Sequence, residues 1–353
     1  MIKKSLMIIL LALIGFVAIA FFAGCDRIAG INLNGEKQMT RDAARQFAED
    51  IGEIMDNYIG TLQSLSNEMS FYEDRTPEAR RREFEKTMLS VFEETPNLFQ
   101  LFTVWKPNAI DSMDARFKNR AGSTETGQFA FALIKEGETG QTEKQTVDSG
   151  DVQAAMEYLT GSNGKTVDIS APAYIELGGR GKDCFRMMVP ILNDRTNEPV
   201  GVIGCQLYTD ALQNFAENTI KHNDEVAAVA VYTNTGFILA SYVPDRIGEK
   251  LADREIQYGD QINNAVNAVN NAHEYECSGY DPLLRAKLFM CIVPVPMRSS
   301  PSSLSVMVGS AEAYIYRNVK AMGKTAITIL IIACMIGILV FVIIIDRRKK
   351  QGR

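Results

Sequence analysis

The sequence predicts an α+β protein in which a long N-terminal stalk helix carries two antiparallel-sheet modules, bracketed by two transmembrane helices. Three observations predict it. Two charge-free apolar runs lie near the ends, at Ser5–Gly24 and Ala326–Ile345. An apolar stripe at helical spacing runs over 36–71. Beyond it, two groups of short apolar runs are separated by turn residues, the pattern of strands joined locally rather than through crossover helices.

Each apolar run is about 20 residues, which at a rise of about 1.5 Å per residue spans a hydrocarbon core of about 30 Å. Lys3 and Lys4 precede the first run, and Arg347, Arg348, Lys349, Lys350 and Arg353 follow the second. Basic flanks stay on the cytoplasmic side, so residues 1–4 and 346–353 read as cytoplasmic tails and 25–325 as the extracytoplasmic portion of a two-pass protein of the inner (cytoplasmic) membrane. The first run has a second reading. Phe22-Ala23-Gly24-Cys25 resembles a lipoprotein signal cleaved before the cysteine. The net charge of −6 is unevenly placed. The tails carry about +6, leaving about −12 outside, a balance that argues against nucleic acid and against docking on anionic lipid.

Phe47, Ile51, Ile54, Tyr58, Leu62, Leu65 and Met69 recur every three or four residues and mark one helical face. A helix over 36–71 is about 50 Å long, which suits a stalk. Thr76-Pro77-Glu78 then opens a second helix to about Glu94: Thr as cap, Pro in the first turn, Glu favoured by the helix dipole. The distal module, about 72–220, has strand patterns at 98–105, 129–134, 166–177, 183–192 and 200–208, with a short helix at 151–159 and a connecting helix at 209–220. The membrane-proximal module, about 221–310, has strands at 225–233, 236–241, 272–278, 284–295 and 302–310 and a helix at about 254–271. Residues 311–325 form a helical connection to the second span. No internal repeat is visible.

Among six cysteines, Cys184 and Cys205 flank the turn-like segment 193–197, and Cys277 and Cys291 flank 281–284. If each turn closes a hairpin, each pair lies close enough for a disulfide in an oxidising compartment. The alternative is four free, buried, small apolar residues. There is no Cys-x-x-Cys and no Cys/His cluster, which excludes the common zinc patterns. With only His222 and His273 outside, no Gly-x-Ser-x-Gly and no phosphate loop, the chain reads as a non-enzyme without a cofactor.

Three stretches carry a family resemblance. Val104-Trp105-Lys106-Pro107-Asn108-Ala109-Ile110-Asp111-Ser112-Met113-Asp114 is followed by Ala115-Arg116-Phe117. Val189-Pro190-Ile191 precedes Pro199-Val200-Gly201-Val202-Ile203-Gly204. Asn234-Thr235-Gly236-Phe237-Ile238-Leu239-Ala240 precedes Arg246-Ile247-Gly248. In this order and spacing they resemble the double Cache (dCache) sensor regions of methyl-accepting chemotaxis proteins, receptor kinases and diguanylate cyclases. The resemblance implies PAS-like modules, a small ligand in the distal one, a homodimer, and signal relay across the membrane. The apolar stripe alone does not establish the dimer, since the sheets can cover it.

The same resemblance places candidate ligand contacts at Trp105, Asp114, Phe131, Tyr158, Tyr174, Glu176 and Gln206. For Phe131 and Trp105 the competing role is core packing, and for Asp111 and Asp114 bracing of the loop. The amino-acid-binding members use an Arg-x-Trp-Tyr cluster where this chain reads Gln128-Phe129-Ala130-Phe131, and an Asp where it has Gln206. A free α-amino acid is therefore disfavoured, and a neutral or weakly polar ligand expected. The chain ends eight residues past the second run. The expectation is a sensor module without its own output domain. It is the sensory part of a truncated or split receptor, kinase or cyclase system, a module signalling through a partner in trans, or a ligand-binding scaffold.

Overall fold

In a computed structural model the described residues are 37–95, 98–136, 141–161, 167–177, 180–298 and 304–314, with single helical positions at 328, 332 and 336. Both predicted spans lie outside them, apart from those three positions. Among the described residues no helix is long and apolar enough to cross a membrane.

Helix α1 runs over 37–70. Its predicted stripe is real, but the sheets consume it. Phe47, Ile51, Leu62, Leu65 and Met69 are buried, joined by Ala44, Met55 and Ile59, while Ile54 and Tyr58 pack at the margin. Burying each large side chain contributes about 1.5–3 kcal/mol, so this face holds both modules to the helix rather than waiting for a second copy. At the N-terminal end Thr40 Oγ1 bonds Ser310 Oγ at 2.9 Å in the proximal module. At the other end Ser66 Oγ donates to the Pro190 carbonyl at 2.6 Å in the distal one. Gly52 marks the crossing between them: a Cβ there would stand 2.6 Å from the Pro296 carbonyl oxygen.

Helix α2 (Pro77–Glu94) and strand β1 (Leu98–Trp105) follow as predicted. The distal sheet continues with β2 (Ala130–Glu136), β3 (Gln141–Thr146), α3 (Ser149–Gly161), β4 (Asp168–Ile169), β5 (Ala173–Leu177), β6 (Arg180–Leu192) and β7 (Pro199–Tyr208). The single strand predicted over 166–177 is two, parted around Pro172, whose missing N–H cannot serve a ladder. Strand β3 was not predicted: its sequence QTEKQT is polar throughout because it is the sheet edge. Helix α4 (Asp210–His222) leads to the proximal strands β8 (Ala228–Thr233), β9 (Ile238–Ser241), β10 (Tyr275–Asp281), β11 (Ala286–Pro294) and β12 (Leu304–Ala311). The helix expected over 254–271 breaks into α5 (Leu251–Arg254), a 3₁₀ turn and α6 (Ile262–Asn270), with Gly259 at φ 51° in between.

The distal order is β3-β2-β1-β7-β6-β4, with β5 also on β6, and the proximal order is β10-β11-β12-β8-β9. All pairs are antiparallel. Each module thus places its last strand beside its first, the PAS-like order. The internal repeat exists in topology and not in sequence.

The register corrects the disulfide expectation. Cys205 pairs with Met187, three positions along β6 from Cys184, which itself pairs with Tyr208. Cys291 pairs with Glu276, one position from Cys277. An odd offset puts each pair's side chains on opposite faces of its sheet. Accordingly Cys205 and Cys291 belong to the helix-facing core, while Cys184 and Cys277 pack in separate clusters on the other faces. All four are free and buried.

A candidate ligand cleft in the distal module

The distal sheet has two faces. One, with Leu101, Trp105, Phe129, Phe131, Leu133 and Met187, packs against α1 and α2. The other carries Phe102, Val104, Ala130, Ala132 and Val202 and is covered by α3 through Ala155 and Leu159. Between α3 and the β4–β5 segment this second face opens into a cleft of about 410 Å³, within the size range of small-molecule sites.

A row of polar residues crosses its floor. Gln100 on β1 is the cross-strand partner of Gln206 on β7, and Gln206 is the partner of Arg186 on β6. In antiparallel pairs such neighbours share a face and touch. Next in the row, Ser170 Oγ accepts from the Arg186 backbone N–H at 2.9 Å. Gly204, two residues before Gln206, brings the strands close: a Cβ there would lie 2.4 Å from Phe102 and 2.8 Å from the Met187 carbonyl oxygen.

The roof supplies carboxylates. Asp148 caps α3, its Oδ1 accepting from Gly150 N at 2.7 Å and Asp151 N at 3.0 Å. Asp151, one turn in, accepts from Arg186 Nη1 at 2.5 Å and from Gln206 Nε2 at 2.9 Å. Burial pushes the Asp151 carboxyl up, the adjacent Asp148 pushes it further, and Arg186 opposes both. Asp168 is likewise raised by burial and partly offset by Arg186. Phe99, Ile134, Ile175 and Phe185 form the apolar lining.

Of the seven residues singled out from sequence, Gln206 lines this cleft. Tyr174 does not. Strand alternation turns Ala173 and Ile175 inward, and Tyr174 is 68% exposed on the other side. Glu176 falls on β5 opposite Gly181, and its side chain lies outside the described residues. Tyr158 packs from α3 against the apolar cluster that includes Phe102 and Val104, its phenol pushed up by burial and by Asp168. Phe131 and Trp105 point to the helix face. Phe131 stacks on Phe129, and Trp105 is fully buried between Tyr72 and Phe84.

Asp114 braces the loop between β1 and β2. Buried Arg81 from α2 donates to Asp111 Oδ2 at 2.7 Å, Asp111 Oδ1 at 3.1 Å and Asp114 Oδ1 at 2.5 Å. It also donates to Ser123 Oγ and the Gly127 carbonyl. The other Asp114 oxygen accepts from Asn108 N at 2.7 Å, where Asn108 holds φ 58°. The spacing of Asn108, Asp111 and Asp114 thus serves to fold the loop.

Sequence reasoning missed Gln100, Asp148, Asp151, Ser170 and Arg186. Two carried a readable signal. Gln100 is the one polar residue before Thr103 in LFQLFTVW, and Arg186 interrupts the apolar run of β6 as the predicted Gln206 does in β7. Arg186 puts a guanidinium on this face from β6, where the resemblance looked for an Arg only at the start of β2. A larger groove of about 750 Å³ lies between the end of α1 and the β6–β7 turn. It has no buried charged side chain, which directs the functional reading to the cleft.

These features define an α+β fold of two PAS-like antiparallel-sheet modules on one long helix. The chain superposes on the extracellular domain attributed to a histidine kinase, mmHK1S-Z3, with a TM-score of 0.67 and 19% identity, over 81% of this chain and 98% of that one. It superposes on the periplasmic sensory domain of the Campylobacter jejuni chemoreceptor Tlp1 with a TM-score of 0.60 and 16% identity, over 79% and 96%. A methyl-accepting chemotaxis protein gives 0.58 and 16%, over 76% and 97%. At such identities the likeness is one of fold. No family model and no curated protein matches the chain.

Proposed function

We propose that the chain is the extracytoplasmic sensor of a membrane receptor, binding a small ligand in the distal cleft and relaying occupancy along α1 and the proximal module to membrane spans at 5–24 and 326–345. The observation that supports this best is the cleft: a polar row and a carboxylate roof enclosed on the open face of the distal sheet, within a fold otherwise seen in sensory domains. Helix α1 touches both modules through one continuous buried face. Closure of α3 onto a ligand therefore acts on an element that reaches the proximal module, where shifts of an ångström or two suffice for signalling. The output is carried beyond this module or by a partner in the same membrane, as in receptor kinase, cyclase and chemotaxis systems.

The test is a thermal-shift screen of the full chain in nanodiscs against small metabolites: organic acids, amines, sugars, purines and amino acids. A ligand at 100 times its Kd stabilises the native state by about 2.7 kcal/mol. A class of compounds that raises the midpoint supports a sensor. A folded protein unmoved by every class refutes it and shifts the role to a membrane scaffold.

A further inference from the structure

We infer that the ligand of the distal cleft is a small organic cation, an amine without a free carboxylate; the inference rests on the sensor reading above. Charge is the first argument. Asp148 and Asp151 both line the cleft, and Arg186 is its one lining guanidinium among the described residues. Asp168 stands beside the same guanidinium. Among the described residues three carboxylates stand against one cation, and two like charges as close as Asp148 and Asp151 are relieved by a positive charge between them.

The second argument is an unused amide. Gln100 lines the cleft, is only 6% exposed, and its side chain makes no hydrogen bond among the described residues. Its amide lines the cleft without a partner among the described residues, so its carbonyl and amino groups can pair with a ligand's polar groups. An ammonium donates to that carbonyl and to the carboxylates, three donors matched to three acceptor groups. The ring of Phe99 in the same lining favours a cation further.

An anionic ligand finds the opposite. Among the described residues the one lining guanidinium gives Nη1 to Asp151 at 2.5 Å; its Nε has no partner, but a carboxylate accepting from it stands against the charges of Asp151 and Asp148. An α-amino acid carries the same penalty on its acid end. The amine end alone is complementary.

Matched probes test this on the full chain in nanodiscs, read by thermal midpoint and titration. One set is putrescine, butanediol and succinate; the other is phenethylamine, phenylethanol and phenylacetate. The inference expects the amine of at least one set to raise the midpoint, the alcohol to bind at least tenfold more weakly, and the acid not to bind. Asp151→Asn keeps the size and hydrogen bonding of the site and should weaken the amine at least tenfold. Asp148→Asn, which can still cap α3, provides the same test should the first variant fail to fold. Amine binding indifferent to both substitutions overturns the inference. Tighter binding of an acid or an alcohol, lost in Gln206→Ala, overturns it and leaves the sensor standing. Silence of both sets and of the wider metabolite screen overturns the two together.

Discussion

Arg186 on β6 and Asp151 on α3 close the distal cleft from opposite sides, Nη1 to Oδ1 at 2.5 Å, with side chains 19% and 13% exposed. This pair, with the Gln206 bond to the same carboxylate, links the sheet floor to its covering helix. Arg186→Ala and Asp151→Ala should each cost about 1.5–3 kcal/mol, the range for hydrogen bonds to charged groups. Because each single variant strands the other charge, the double variant should cost less than the sum by about 0.5–3 kcal/mol. Urea unfolding of the four proteins measures this, and strict additivity would show that the pair is not a unit.

Arg81 sets a second expectation. Its guanidinium serves Asp111, Asp114, Ser123 and Gly127 while buried. Arg81→Ala leaves two carboxylates unpaired and should cost about 3–5 kcal/mol. Arg81→Lys should recover little, since an ammonium cannot reproduce the planar fork. Recovery of more than half the loss would contradict the bracing role.

Most strand positions were legible in the sequence and the site only partly so, for one physical reason. Strands such as Leu98–Trp105 and helix α2 announce themselves by local pattern. The polar edge strand Gln141–Thr146 does not, because an edge buries little. Alternation says that Phe129, Phe131 and Leu133 share a face, but not whether helices or a ligand cover that face. This is why Phe131 and Trp105 invited a ligand role and belong to the core. Tyr174 and Ile175 differ by one residue, and only the position of β5 over the cleft decides which turns inward. Gln100, Gln206 and Arg186 were visible as lone polar residues in apolar strands, but their meeting in one row depends on strand order and register across three separate segments.

Thiol chemistry offers a check on that register. Burial raises the Cys184 and Cys291 thiols to about 12 and Cys277 to about 11, and pushes Cys205 up as well. Thiolates are the reactive form, so all four should resist a thiol reagent in the native state and react on denaturation. The melting midpoint should not change with a reductant. A drop of several degrees, with a Cys184–Cys205 or Cys277–Cys291 peptide on mapping, would contradict the register.

Asp168 predicts a pH dependence. Burial raises its carboxyl above the ordinary 3.8, with Arg186 opposing. A raised acid binds its proton more tightly folded than unfolded. Its contribution is therefore full below the unfolded value and lost as pH rises through the folded one. Asp168→Asn should raise the midpoint at pH 7 and lose that advantage toward pH 4. A constant difference across this range would show that titration of Asp168 does not couple to folding.

The central claim, a ligand bound in the distal cleft, is tested most directly by titrating the best compound of the metabolite screen into the full chain and two variants. Gln206 lies in the cleft floor and Tyr174 outside it. The account predicts at least tenfold weaker binding to Gln206→Ala and unchanged binding to Tyr174→Ala. Binding that survives Gln206→Ala and is lost in Tyr174→Ala would place the ligand elsewhere and contradict it.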